Sequence, residues 1–284
     1  MTVINTNISS LLAQVSLNAA RAGAETAMER LSSGQRINSA ADDAAGLSIA
    51  SRMTAQITGI RAAIKNANDG ISLMDTAEGA MAEVTNMLQR MRELALQSAN
   101  DTNSDNDRAA SQSEIDALST EIDRVASTTT FNGIMILDGS SAGFALQVGS
   151  STEADATITI TIESMAAADL KTAATGAGAG VDETVLLMDT NAHASTAIDN
   201  IDDAIEYVSQ QRSSLGAVRN RLDHTINNLT SISTNTAAAR SRIMDTDYAE
   251  ETSEMTKNQI LNQASTAMLA QANKISQSVL SLLQ

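Results

Sequence analysis

Proline, cysteine and tryptophan are absent from the chain, and only two Phe and two Tyr occur in its 284 residues. Each absence excludes something. Without Pro, the strongest helix breaker, long uninterrupted helices are allowed. Without Cys there is neither a disulfide framework nor a thiolate metal site. With so few aromatic rings, any core must be built from Ala, Leu, Ile, Val and the 13 Met, which suits closely packed helices better than a β-sandwich or an aromatic-lined pocket. No run approaches the roughly 18 apolar residues of a membrane span. The opening Met1-Thr2-Val3-Ile4-Asn5 lacks the basic start and apolar block of a cleaved signal, so a chain of this kind that leaves the cell is expected to use another route.

The formal charge of −16 argues against nucleic-acid and anionic-membrane binding, and its placement is more informative than its sign. Residues 101–206 hold 19 acidic side chains against three basic ones, Arg108, Arg124 and Lys171, while the rest of the chain is neutral. Neutral ends flanking an acidic middle fit ends that pack densely against copies of themselves and a middle that faces water.

From Ile49 to Ala95, apolar residues recur in steps of three and four, at 49, 53, 57, 60, 64, 67, 71, 74, 77, 81, 84, 88, 91 and 95. At ~1.5 Å per residue this heptad-like stripe predicts a helix roughly 70 Å long. Gly59, Gly70 and Gly79 lie within it, each costing up to about 1 kcal/mol relative to Ala. The polar break from Asn100 to Asp107 precedes a second stripe at Ile115, Leu118, Ile122 and Val125, predicting an antiparallel helical hairpin. A third stripe runs through Ile198, Ile201, Ile205, Val208, Leu215, Val218, Leu222, Ile226 and Leu229, and three such rods make a bundle. Between the second and third stripes the period shortens. Phe131–Leu137 and Phe144–Val148 are expected to pair as a β-hairpin across Asp138–Gly143, and Thr157–Ile162 alternates as a third strand. Ala173–Gly180 is read as an exposed small-residue loop.

Each chain end carries an amphipathic helix with no obvious core of its own. Ile4, Ile8, Leu11 and Val15 mark one stripe; Leu261, Met268, Ile275, Val279 and Leu282 mark the other. An isolated helix of this kind is marginal in water, so the two ends are expected to pair with each other and with neighbouring subunits. The fold class expected is therefore mainly α and elongated, with long coiled-coil-like rods from both chain ends plus a small β-hairpin region. Residues 1–42 and 243–284 form a terminal coiled-coil domain, and 43–242 a helical rod domain with the β-hairpin at about 131–162 and a short exposed loop at about 163–195.

The groups an enzyme needs are scarce. His193 and His224 are the only histidines, and neither sits in a zinc-type motif. Asp101-x-Asn103-x-Asp105-x-Asp107 starts like a calcium loop, but Asn106 replaces its Gly and Gln112 its bidentate Glu, which favours a capped turn between helices. Asp42-Asp43 and Asp202-Asp203 read as helix-start or surface charges. No catalytic residue, cofactor site or metal site is expected.

The stretch Glu29-Arg30-Leu31-Ser32-Ser33-Gly34-Gln35-Arg36-Ile37-Asn38-Ser39-Ala40-Ala41-Asp42-Asp43-Ala44-Ala45-Gly46 resembles the N-terminal signature of bacterial flagellins. Asn66–Ser72, Gln89–Ala95 and Phe131-Asn132-Gly133 continue it, and Leu215–Leu222 and Asn258–Ala264 resemble the C-terminal half. The resemblance implies a short-form subunit that self-assembles into an extracellular filament for swimming, with both ends in an inner coiled-coil layer around a channel. It implies a homopolymer, with the flagellar export apparatus, a chaperone, and filament cap and junction proteins as partners. The short middle implies a thin, smooth filament. By position, Arg90, Leu94 and Glu114 match a helix surface read by a Toll-like innate immune receptor, and Arg30 to Ala50 a segment sensed by plant receptors; for Leu94, packing is the weightier reading. A hook-filament junction protein is the alternative, and the dense signature at Arg30–Gly46 counts against it.

Overall fold

A computed structural model describes residues 6–140, 143–149, 154–170, 181 and 186–281, with the side chains of 154 and 275–281 outside the description. The described helices are α1 (Ile8–Ser33), α2 (Ala44–Ser98), α3 (Asp105–Thr128), α4 (Asn191–Met244) and α5 (Tyr248–Ser281). Four short strands, β1 (Thr130–Phe131), β2 (Ile134–Met135), β3 (Phe144–Gln147) and β4 (Thr157–Ile160), lie between α3 and α4. The chain divides into two compact units, Met1–Ile57 with Thr234–Gln284, and Thr58–Ser233.

Helix boundaries follow side-chain chemistry. Asn7 caps α1 by accepting from the Ser10 N–H at 3.1 Å. Gly34, in the left-handed region at φ 69°, stops it, and its N–H donates to the Arg30 carbonyl. Asp43 accepts from the Gly46 N–H at 2.9 Å and starts α2. The polar break resolves into a tight turn ended by a capping box, in which the Ser104 hydroxyl accepts from the Asp107 N–H and the Asp107 carboxylate accepts from the Ser104 N–H. Asp107 has this structural role, Asn103 donates to the Gln97 carbonyl, and Asp101 accepts from Asn191. The calcium-like spacing is thus a helix–turn–helix device.

In the second unit the long stripe is a core stripe. Ile60, Ala67, Met74, Ala77, Met81, Val84, Leu88, Met91 and Ala95 of α2 are buried, and from Ala67 onward they meet Ile115 and Ile122 of α3 and Ile201, Val208, Leu215 and Leu222 of α4 in one cluster. Ile49, the first position of the stripe, is exposed. Ion pairs mark the directions. Arg92 reaches Asp202 at 2.5 Å, Arg212 reaches Glu78 at 3.5 Å, and Arg219 pairs with Asp75, so positions descend on α2 as they ascend on α4 and the two helices are antiparallel.

The β region is present, but its pairing differs from the expected hairpin. Asn132 and Gly133 both have positive φ, 51° and 78°, and make a two-residue turn that folds Phe131 back onto Ile134 and Thr130 onto Met135. The run read as one strand is therefore a hairpin in itself. β3 is left to pair antiparallel with β4, with Phe144 opposite Ile160 and Gln147 opposite Thr157. The alternation read from 157–162 holds, because Ile158, Ile160 and Ile162 are buried. β3 seats on α2 at Gly70, where an added Cβ would lie 2.0 Å from Leu146 Cδ1.

The segment between β4 and α4 is held to α3 through its backbone. The Asp123 carboxylate accepts from the Ala167 N–H at 2.8 Å, the Ser119 hydroxyl donates to the Val181 carbonyl, and the Gln112 amide donates to the Leu186 carbonyl while accepting from the Met188 N–H. Residues 173–180, read as a loop, lie outside the described residues, but the wider stretch expected to be an exposed loop at about 163–195 is not exposed throughout: Met165, Ala167, Leu170, Val181, Leu186 and Met188 are buried in the core, and α4 already begins at Asn191.

Two glycines of α2 should respond oppositely to alanine. Gly70→Ala forces Leu146 aside and should destabilise the protein by about 1–3 kcal/mol. Gly79, with open space around it, should be stabilised by up to about 1 kcal/mol. Denaturant unfolding of both variants checks the signs. Acid supplies a second test. The Ser104 hydroxyl and N–H hold the Asp107 carboxyl below its ordinary value, so this stabilisation is complete above that value and is lost as pH falls through the lowered one. The Tm advantage of wild type over Asp107→Ala should be full at about pH 6 and narrow below pH 3.8.

Candidate assembly surface

In the first unit α1 and α5 lie antiparallel. The Asn7 amide donates to the Ala272 carbonyl at 3.1 Å near one end, and the Arg30 guanidinium donates to the Glu251 carboxylate at 2.9 Å near the other. Between them Gly23 faces Asn258, whose Nδ2 would lie 2.7 Å from an added Cβ. Leu17, Ala20 and Ala27 of α1 and Ala272 of α5 are buried in this seam, so small residues let the helices approach closely.

A clasp closes the unit beyond Gly34. The Thr246 N–H donates to the Gly34 carbonyl at 3.1 Å, the Arg36 N–H to the Met244 carbonyl at 2.6 Å, and the Arg36 guanidinium to the Ile243 carbonyl at 2.8 Å. Asp247 then caps α5 by accepting from the Ala249 N–H. On the α1 side, Asp42 accepts from the Ser39 hydroxyl and the N–H groups of Ser39 and Asn38, which hold its carboxyl below the usual range. The most distinctive stretch of the sequence, Arg30–Gly46, is thus the clasp and turn between two helices.

The sequence-predicted packing residues occupy a different face from the seam. Ile8, Leu11 and Val15 are 66%, 63% and 61% exposed, and Leu261 and Met268 are 45% and 64% exposed. Ile4 and Leu282, and the side chains of Ile275 and Val279, lie outside the described residues. The two ends do pair, but through Leu17 and the alanines; the larger side chains remain uncovered. Leu12 and Ile260 join this uncovered set without having been singled out, although the Leu11-Leu12 doublet is a signal that α1 is apolar on more than one side. The Arg30–Glu251 pair and the backbone clasp join residues more than 200 positions apart, and nothing in the local sequence announces them.

Of the three residues on the receptor-like surface, Arg90 and Glu114 are exposed and paired at 2.9 Å, with Glu93 also accepting from Arg90 at 3.1 Å. Leu94 is only 4% exposed. It belongs to the core because the α2 stripe is broad enough there to bury 91, 94 and 95 together.

Among the described residues no group of three or more His, Cys, Asp or Glu side chains could hold a metal ion. His193 pairs with Asp189 one turn away on an exposed surface. The Tyr207 phenol is pushed up chiefly by burial, with Glu163 and Asp169 adding to the effect.

Known proteins match this arrangement at both ends. Residues 4–142 fit the family model described as the bacterial flagellin N-terminal helical region, and residues 198–283 that of the C-terminal helical region. Flagellin of Halalkalibacterium halodurans is 45% identical over 282 aligned residues, covering 99% of this chain and 100% of that one. The chain belongs to the bacterial flagellin family. Flagellin B of Vibrio anguillarum is 40% identical over an alignment of 371 residues that covers 99% of each chain. A solved structure of a putative flagellar hook-associated protein from Vibrio parahaemolyticus covers 72% of this chain and all of that one with a TM-score of 0.57; at 16% identity this is a likeness of fold. The flagellin is a structural subunit of the extracellular flagellar filament, and its family self-assembles; the junction-protein alternative is not favoured.

Breaking the Arg30–Glu251 pair tests the seam. Glu251 keeps little exposure, so Arg30→Ala leaves a largely buried carboxylate without its partner. The variant should lose about 1–3 kcal/mol of α1–α5 pairing, seen as faster amide hydrogen exchange in α1 with α3 unchanged.

Proposed function

We propose that polymerisation runs through the terminal helix pair, with residues 1–42 and 243–284 forming an inner coiled-coil layer and 43–242 lying outside it. The observation that carries this reading is the large apolar side chains left uncovered on a pair of helices that already satisfies its own seam. Ile8, Leu11, Leu12, Val15, Leu261 and Met268 would each contribute about 1.5–3 kcal/mol on full burial, and large apolar side chains exposed along both helices of one pair mark an interaction surface. Copies of the same chain are the occupant the family supplies. Ile4, Ile275, Val279 and Leu282 extend the surface by sequence period.

Assembly is then the activity, with no catalytic step. By the same resemblance the subunit passes the flagellar export apparatus, is held by a chaperone, and adds between junction and cap proteins. An innate immune receptor would meet the exposed Arg90–Glu114 pair, with Leu94 shaping the surface from below.

Purified monomer seeded with short filament fragments should elongate into filaments visible by negative-stain electron microscopy. Deleting Leu261–Gln284 should abolish elongation, and so should Leu11→Asp with Val15→Asp, while α3 keeps its hydrogen-exchange protection. Filaments of normal length from both variants would overturn the reading.

A further inference from the structure

The methionines of this flagellin fall into distinct environments. Met74, Met81, Met91, Met165 and Met188 are buried in the core of the second unit, whereas Met28, Met135 and Met268 are exposed. Met268 differs from the other two exposed ones in its neighbours. It follows Leu261 by seven residues, two turns of α5, and so shares its face. The Asn7–Ala272 hydrogen bond fixes its level: one turn back along α5 from Ala272 is Met268, and one turn along antiparallel α1 from Asn7 is Leu11. Met268 is therefore level with the exposed Leu11 and Leu12. Met28 lies 13 residues beyond Val15, which turns it to the far side of α1 from that stripe.

We propose that Met268 is a modification site that gates assembly: a hydroperoxide oxidises its thioether to the sulfoxide, and the sulfoxide keeps the subunit out of the filament. The inference rests on the reading of the terminal pair as the polymerising surface. The step is a two-electron oxygen transfer. A sulfur lone pair attacks the outer peroxide oxygen, the O–O bond breaks as the S–O bond forms, and the peroxide leaves as water or an alcohol after proton transfer. The S–O dipole is a strong acceptor, and acceptors buried without a donor are penalised. Leu261, Ala264 and Ala272 on α5 bring no side-chain donor, which leaves Ser265 and Gln271, three residues before and after it, as the donors within one turn on α5. Leucine at 268 would fill a similar volume without this chemistry. Once neighbouring copies cover the stripe, the sulfur is shielded, so the sensitive species is the free subunit.

The test compares seeded elongation of wild type, Met268→Leu, Met28→Leu and Met268→Gln, each with and without brief hydrogen peroxide treatment, with sulfoxide located by peptide mass spectrometry. Treated wild type and treated Met28→Leu should elongate about tenfold more slowly than untreated protein. Treated Met268→Leu should stay within about twofold of its untreated rate. Untreated Met268→Gln, which places a polar acceptor there without peroxide, should be slow from the start. Filaments given the same peroxide should carry less sulfoxide at Met268 than monomer does. Equal inhibition of wild type and Met268→Leu, or full-rate elongation of wild type bearing sulfoxide at Met268, would overturn the proposal while leaving the assembly surface intact. Failure of untreated wild type to elongate from seeds would instead remove the assembly reading, and this inference with it.

Discussion

The close approach of α1 to α5 is the constraint on which the first unit depends. Leu17, Ala20, Ala27 and Ala272 form the buried seam, Gly23 admits the side chain of Asn258, and hydrogen bonds at Asn7 and Arg30 fix the two ends. Because, Leu17 apart, small residues satisfy the intramolecular contact, the large apolar side chains of Ile8, Leu11, Leu12 and Val15 stay exposed. A seam built from Ile8, Leu11 and Val15 would have hidden the same side chains inside one subunit. The division between small and large side chains lets these helices fold as a pair and still leave large apolar side chains exposed.

The second unit solves the opposite problem. There the large residues meet, with methionines filling the space that aromatic rings occupy in other cores. Pairs such as Arg92–Asp202 and Arg219–Asp75 lie exposed along the α2–α4 contact and contribute direction more than stability. Gly70 shows how finely this packing is set, since Leu146 of β3 occupies the space that any larger residue would need.

Much of this was legible in the sequence because helical period is a local property. The α2 stripe from 57 to 95, the turn before α3 and the stripe of α4 all follow from spacing and capping chemistry. The β region was read correctly in kind and incorrectly in pairing. Phe131–Leu137 has strand composition throughout, and only the Asn132-Gly133 dipeptide discloses the fold-back. The faces of α1 were harder. Its alanines and its large apolar residues both recur at helical spacing, and no local rule says which set meets α5. Leu94 shows the same difficulty in reverse, since position on a helix gives a face but not how broad the covered arc is. The clasp at Gly34 and Thr246 depends on contacts between distant parts of the chain, which a single sequence does not display.

The hold of α3 on the segment that follows β4 has a consequence for sequence drift. Gln112, Ser119 and Asp123 grip carbonyl and N–H groups of Ala167, Val181, Leu186 and Met188, which are groups that almost any residue would provide. The tether itself makes no demand on side-chain identity at these four positions; what restricts them is their burial in the core of the second unit. Mutational tolerance along the strap should therefore be high only where a side chain points outward, as at the exposed Leu187, because three residues of α3 hold the strap by its main chain while its own buried side chains hold it to the core.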